Sequence, residues 1–274
     1  MVSALALARF RQRVKTCSIR AMTDFYAEVP RALIVTSRDY AAGTRFPRHR
    51  HARGQFACAA SGAISVDTPQ GNWLVPPQRA CWLPAGVEPG MHMHGAVTML
   101  NVFIDGPAMQ AAGLAPQCRV VDASPLLRQL LDAAIKVAPL YADETRAGRV
   151  MALLLDEIAA MPPLPLNAPL PQDPRLARLC SSLLAEPHLQ GDLDTVAAQS
   201  GMSRRSFTRL FRAQTGLGFA QWRQQACLLA AITRLADGQA VTRVALDLGY
   251  ASPSAFTAAF RRALGQPPGA YLRR

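Results

Sequence analysis

The sequence of 274 residues predicts an α+β protein with several domains. We expect an N-terminal β-barrel with a helical dimerisation segment, followed by an all-α C-terminal domain that contains two helix-turn-helix units. Three observations predict this. Short runs of β-branched and aromatic residues extend from Arg31 to Asp105. A proline-rich stretch covers residues 162–174, and the segment 203–216 is similar in sequence to the segment 252–265.

Residues 1–24 are basic and have no periodic apolar face, which predicts either a disordered extension or a non-native stretch ahead of a start at Met22. From residue 25 to 106, runs such as ALIVTS, AISVDT and VTMLNVFI alternate with Gly, Pro and Asn. This alternation of short strand-forming runs with turn-forming residues is typical of a small all-β domain.

Residues 107–161 are predicted as a helical segment between the domains. Apolar residues recur there at helical spacing, at Leu126, Leu127, Leu130, Leu131 and Ile135 and again at Val150, Leu153, Leu154 and Ile158. The apolar helical surface, which includes Leu126, Leu130, Val137, Leu153 and Leu155, exceeds what one flank of a small barrel covers. We therefore expect a homodimer, with packing onto the barrel of the same chain as the alternative.

Six prolines lie between residues 162 and 174, a composition that interrupts helices and predicts an extended linker. The domain boundary is placed there, and residues 175–274 form the last domain.

Charge and cysteine content narrow the class of protein. The net charge is +12, and residues 175–274 hold thirteen arginines against five acidic residues, so a nucleic acid is the expected partner. Six scattered cysteines predict reduced thiols in a cytosolic protein. No apolar run approaches the ~18 residues of a membrane span, so no membrane partner is expected and the location is cytoplasmic.

The two related phrases are SRRSFTRLFRAQTG at 203–216 and SPSAFTAAFRRALG at 252–265. Each begins with a Ser suited to an N-cap, carries two Phe at i and i+4, and ends at a Gly. A shorter matching piece precedes each phrase, at 192–202 and 241–250. The pattern predicts two helix-turn-helix units joined by a long helix over 219–237.

Residues 175–274 resemble the DNA-binding domain of AraC/XylS-type transcription regulators, because LGYASPSAFTAAFRRALGQPPGAYLRR is similar to that family's signature. The resemblance implies that Arg205, Thr208 and Arg209 of the first unit face base edges. In the second unit the matching outward residues include Ser254 and Thr257, with Ala258 where many members carry arginine, so base reading there is expected to be weaker. Contacts with the DNA backbone are expected from Ser203, Arg204, Arg212, Ser252, Arg261 and Arg262. A solvated helical face in a solenoid is the alternative.

Gly43, His49, His51, Gln55 and Gly62 follow the spacing of the first cupin motif, with Gln in place of the usual Glu. The resemblance implies a cupin-like effector-sensing barrel, and the effector pocket is predicted from His49, His51, Arg53, Gln55, His92 and His94. His49 and His51 point the same way on a strand and are also candidate ligands of a divalent metal. An organic effector or a vestigial site remain open, and no cofactor is expected.

Together these features resemble an AraC-family regulator that senses a small molecule and controls promoter binding. We expect that the protein is not an enzyme and that it binds double-stranded DNA as a homodimer. If it is an activator, we expect it to contact RNA polymerase. A metal-dependent cupin enzyme with a helical appendage and a non-specific basic nucleoid protein are the rival interpretations.

Overall fold

The computed structural model describes residues 29–164 and 166–271. The predicted extension over residues 1–24 therefore lies outside the described residues. The N-terminal half contains strands β1 Leu33–Tyr40, β2 Arg45–Phe46, β3 Gly54–Ala59, β4 Ala63–Thr68, β5 Gly71–Val75, β6 Arg79–Leu83, β7 Gly90–His94, β8 Val97–Ile104 and β9 Arg119–Asp122. Two further strands, β10 Pro163–Leu164 and β11 Asn167–Pro169, follow after helices α1 Gly106–Ala111, α2 Pro125–Ala134 and α3 Arg146–Ala160.

These strands form two antiparallel sheets. The first sheet has the order β1-β8-β3-β6-β9-β10, and the second has the order β11-β5-β4-β7-β2. Because side chains alternate across a strand, each sheet has an inner and an outer face. Ala57 and Met99 of the first sheet belong to the same buried core as Ile64 and Met93 of the second. The two inner faces therefore enclose the predicted barrel core.

The outer face of the first sheet packs against α2 and α3. Phe56 and Trp82 share a second buried core with Leu127, Leu131 and Leu154. Ser124 and Thr145 cap the two helices, since each side-chain oxygen accepts a hydrogen bond from a backbone N–H in the first turn. The helices predicted over 124–161 are thus present, and the preceding part of this segment also contributes strand β9.

The proline-rich segment is more ordered than a linker. Strand β10 pairs with β9, strand β11 pairs with β5, and both Leu166 and Ala168 are fully buried. Both strands lie at sheet edges, where a proline that lacks an N–H is tolerated. The predicted free spacer over 162–174 is therefore corrected: its central part completes both sheets.

The C-terminal half is helical. Its helices are α4 Pro174–Ala185, α5 Leu193–Gln199, α6 Arg204–Thr215, α7 Phe219–Ala236, α8 Val241–Asp247, α9 Pro253–Leu264 and α10 Pro268–Tyr271. The pairs α5–α6 and α8–α9 are the two helix-turn-helix units, and α7 joins them. Helices α6 and α9 end at Gly216 and Gly265, whose φ angles of 73° and 78° lie in the left-handed region that favours glycine.

Helix α7 connects the two halves of the molecule. Trp222 is fully buried, and its Nε1 donates a hydrogen bond to the carbonyl oxygen of Pro169 in β11 at 2.8 Å. The buried residues of the helical half and of the barrel interior belong to one continuous core. The helical half, residues 174–271, is therefore docked on the second sheet, with its contact to β11 at the edge of that sheet.

Among the described residues, no helix combines the length and the apolar character needed to cross a bilayer. The five cysteines in that part of the chain are unpaired thiols, while Cys17 lies outside it.

Candidate DNA interface and candidate ligand pocket

Helix α6 is oriented by its buried face. Phe207 and Phe211 are fully buried, and their rings stack with centroids 5.6 Å apart. The ring of Phe219 meets both of them edge to face. At the start of the helix, Ser203 Oγ accepts a hydrogen bond from Ser206 N. This packing fixes which side of α6 faces solvent.

The solvent side of α6 gathers all the residues that the sequence predicts for it. A shallow surface depression is lined by Arg204, Arg205, Thr208, Arg209, Arg212 and Ala213. Arg204 Nη1 lies 2.9 Å from Asp194 Oδ2 on α5, and Thr208 Oγ1 donates to the Arg204 carbonyl at 2.9 Å. No acidic side chain within the described chain pairs with Arg205 or Arg209. Their guanidinium groups are therefore available to an external acceptor.

Helix α9 has the same buried Phe pair and Ser N-cap as α6, and its solvent-exposed face is less polar. Phe256 and Phe260 are buried, and Ser252 Oγ caps the helix by accepting from Ala255 N at 3.1 Å. Ser254 is exposed, whereas Thr257 is half-buried. The exposed cations of this helix, Arg261 and Arg262, lie in its last turn. The exposed face of α9 thus carries fewer polar side chains in its first two turns than that of α6.

The inner face of the first sheet carries buried polar groups. Gln55 Nε2 donates to Asn101 Oδ1 at 2.7 Å. Thr36, Asn101 and Ala57 are opposite one another in the register, which places their side chains on the inner face. Gln55 and Thr36 are both more than nine-tenths buried.

Several polar atoms in this interior have no partner. Among the described residues, the buried atoms without a hydrogen bond include Thr36 Oγ1, Arg38 Nη2, His51 Nε2, Gln55 Oε1 and Trp73 Nε1. Buried polar atoms are usually hydrogen-bonded, because leaving one unsatisfied costs about 1–3 kcal/mol. Burial, and then the neighbouring His49, lower the pKa of His51 to about 4, so its imidazole is neutral at pH 7. The interior is a candidate pocket for a ligand that completes these hydrogen bonds.

Two of the predicted pocket residues lie at its margin. His49 is half-buried, and its ring meets that of His51 edge to face with centroids 4.6 Å apart. Arg53 Nη2 and Nη1 donate hydrogen bonds to the carbonyl oxygens of Val29 and Arg31, at 2.6 and 2.8 Å. Arg53 therefore holds the segment before β1 through these two groups, while its buried Nε has no partner, so its place in the effector pocket stays a prediction.

His92 and His94 are not part of this pocket. On β7 they alternate with Met91 and Met93, which belong to the barrel core. Because side chains alternate with period two, both histidines lie on the outer face of the second sheet, towards α7. The prediction that groups them with His49 and His51 is wrong for this reason.

A metal at His49 and His51 has little support from geometry. The described residues contain no group of three or more His, Cys, Asp or Glu side chains positioned to hold an ion. Gln55 stands where the motif usually has a Glu ligand, and its amide nitrogen donates a hydrogen bond to Asn101 Oδ1.

Sequence reasoning missed Thr36, Arg38, Trp73 and Asn101. Asn101 could have been identified from the sequence, because it is the polar residue within the otherwise apolar run MLNVFI. A polar group buried in such a strand needs a hydrogen-bond partner. Thr36 and Arg38 are two apart on β1, so their common face follows once the strand is recognised.

Residues 32–158 match the family described as an AraC-like ligand binding domain, and residues 196–274 match a helix-turn-helix domain family. The chain is 34% identical over 228 residues to the HTH-type transcriptional regulator NimR of Escherichia coli strain K12, a match that covers 83% of this chain and 82% of NimR. The regulatory protein SoxS of Salmonella typhimurium strain LT2 is 34% identical over 84 residues, which are 30% of this chain and 78% of SoxS. Among solved structures, ToxT from Vibrio cholerae O395 is similar over 88% of this chain and 97% of its own, at 10% identity and a TM-score of 0.37.

Proposed function

Because the chain belongs to the AraC family of DNA-binding transcription regulators, we propose that Arg205, Thr208 and Arg209 read base edges while a small molecule bound inside the barrel controls promoter binding. The proposal of base reading rests on one observation: α6 exposes a polar face to solvent while Phe207 and Phe211 on its opposite face are buried. Arginine suits this role because its guanidinium matches guanine O6 and N7 with two hydrogen bonds.

Contacts with phosphates orient the protein on the duplex. Ser203 and Arg204 at the start of α6, and Arg212 near its end, supply such contacts in the first unit. Ser252, Arg261 and Arg262 supply them in the second unit, where Ser254 and Thr257 make the weaker base contacts. Phosphate contacts carry no direct sequence information, so the first unit dominates specificity.

The barrel pocket takes a small molecule rich in hydrogen-bonding groups. Arg38 and Trp73 offer donors, Gln55 Oε1 offers an acceptor, and Thr36 offers either. Neutral His51 adds a ring nitrogen whose role depends on its tautomer. This set of groups favours a polar ligand that carries both donors and acceptors over an apolar one.

The protein acts as a homodimer in the cytoplasm, where its DNA partner is, and contacts RNA polymerase if it activates transcription. Leu126 and Leu153, which are 48% and 44% exposed on α2 and α3, support a dimer surface there.

The test of base reading uses duplexes that the wild-type chain selects from a random-sequence pool. We expect Arg209→Ala to lose about 1–3 kcal/mol of discrimination at particular base pairs of the selected sequence, with a smaller loss on random duplex. Arg48→Ala removes the same charge from an exposed position on the barrel, away from α6 and from the proposed dimer surface, and should leave both affinities unchanged. An equal loss on selected and random DNA would refute base reading by Arg209.

A further inference from the structure

The helical half, residues 174–271, which we call the DNA-binding unit, rests on the outer face of the second sheet through one side of α7. The apolar part of this contact is incomplete, because a solvent-connected cleft lies between the two halves. The cleft is lined by Ser65 and Leu74 of the sheet, by Leu184 of α4, and by Leu229, Thr233 and Arg234 of α7. The docked arrangement therefore depends on the polar contacts at its margin as well as on buried apolar surface.

One such contact joins the barrel to the end of α7. His94 is 6% exposed, and its Nδ1 lies 3.4 Å from Oδ2 of Asp237, the C-cap residue of α7. Its other ring nitrogen, Nε2, lies 2.7 Å from Ser65 Oγ on β4. The tautomer protonated at Nδ1 donates to Asp237 and accepts from the Ser65 hydroxyl, so a neutral His94 satisfies both partners.

The backbone supports the same contact. The turn after β7 contains Gly95, and a Cβ atom at this position would lie 3.5 Å from the Ala236 carbonyl oxygen. The barrel and the helix end therefore lie so close together that a side chain at this position would touch α7, and His94 cannot be buried this way once the DNA-binding unit moves away.

The charged and titratable groups around His94 come from three elements. Asp237 on α7 favours the protonated ring, whereas Arg45 on β2 disfavours it, and His92 lies on the same strand with its ring centroid 4.3 Å away. Burial is the largest influence and lowers the pKa of His94, which Arg45 lowers further and Asp237 partly restores. The docked state thus holds the neutral imidazole.

We propose that His94, through Ser65 and Asp237, latches the DNA-binding unit onto the barrel, and that acidification opens this latch. The effect on promoter binding rests on the function proposed above, because a released unit changes its orientation relative to the barrel and to a second protomer. The latch itself concerns only the two halves of one chain.

The direction with pH follows from linkage. In the undocked state His94 is exposed and titrates near its ordinary value of about 6.5. In the docked state its pKa is lower, so the contribution of His94 to docking is complete above about pH 6.5 and is lost as pH falls towards the docked value. Between pH 7.5 and pH 5.5 the docking equilibrium constant should fall by up to about tenfold.

The experiment measures the radius of gyration of the full chain by small-angle X-ray scattering at pH 7.5 and 5.5, with far-UV circular dichroism to monitor helix content. We expect the wild type to expand at pH 5.5 without loss of helix. His94→Gln keeps hydrogen-bonding groups but cannot titrate, so its radius should be the same at both pH values. His92→Gln, a matched change on the same face of β7, should retain the expansion.

The latch is refuted if the wild type keeps one radius at both pH values or if His94→Gln still expands. Loss of the expansion in His92→Gln alone would also overturn the assignment to His94. None of these measurements involves DNA. Arg209→Ala should retain the expansion while losing base discrimination, so a failure of the latch and a failure of the proposed function are distinguishable.

Discussion

The proposed dimer surface on α2 and α3 makes the sharpest prediction about assembly. Ser124 Oγ lies 3.3 Å from Glu157 Oε2, so the start of α2 is next to the end of α3. Leu126 and Leu153 lie within one turn of this contact, and each is almost half exposed. We predict that the double variant Leu126→Glu, Leu153→Glu prevents dimerisation while leaving the fold intact.

The magnitude follows from the exposed area. Complete burial of a leucine side chain contributes about 1.5–3 kcal/mol, so the half that remains exposed contributes roughly 0.7–1.5 kcal/mol when a partner covers it. A two-fold interface buries both leucines of both protomers and therefore gains about 3–6 kcal/mol from them. Their loss raises the dissociation constant by about 10²–10⁴-fold, before any cost of burying the new charges.

Sedimentation equilibrium of the wild type and the double variant at micromolar concentration measures this change. Leu140→Glu is the matched control, because Leu140 is 42% exposed and lies outside both helices. Leu130 is unsuitable for this test: it is 8% exposed and packs in the α2–α3 core, so a charge there perturbs folding instead of assembly. A monomeric wild type, or a double variant that dimerises as tightly as the wild type, would refute the surface.

Three further predictions concern the stability of the fold and the recognition of DNA bases. Trp222→Phe removes the donor to Pro169 and leaves a carbonyl without its partner, so the free energy of unfolding in urea should fall by about 1–3 kcal/mol; a change below about 0.5 kcal/mol would contradict the structural role of this bond. Ala258→Arg places an arginine on the exposed face of α9 and should lengthen the sequence that the protein selects from a random pool, whereas an unchanged selected site would mean that α9 does not face bases. The double change Gln55→Leu, Asn101→Leu replaces a buried polar pair that leaves Gln55 Oε1 unpartnered, so the ligand-free protein should melt at the same temperature or higher; a loss above about 3 kcal/mol would show that the pair serves folding.

The helix-turn-helix units were predictable because their signals are local. Phe207 and Phe211 lie one helical turn apart, Ser203 suits an N-cap and Gly216 suits a helix end, so the spacing alone sets both the limits of α6 and its buried face. The outward position of Arg209 then follows from the helical period.

The features that sequence reasoning missed depend on contacts between distant segments. Period two places His92 and His94 on one face of β7, but only the sheet order shows that this face meets α7 and not the barrel interior. Prolines between 162 and 174 exclude a helix, yet they do not reveal that Leu166 fills the core between two sheet edges. In both cases the local sequence is compatible with more than one placement of the segment, and only the packing of distant segments determines which one forms.

Strand β7 links the barrel pocket to the latch. Met91 and Met93 point into the barrel core while His92 and His94 point towards α7, so a displacement of this strand acts on both at once. The five unpartnered polar atoms of the interior offer hydrogen bonds worth about 0.5–1.5 kcal/mol each, or roughly 2.5–7.5 kcal/mol together. Reversing a two-state equilibrium from 1:99 to 99:1 requires about 5.5 kcal/mol of differential binding, which lies within that range. Only the difference between the two states counts, so a ligand controls docking to the extent that it loses these hydrogen bonds when β7 moves. A ligand that keeps all of them in both states leaves the latch unchanged, however tightly it binds.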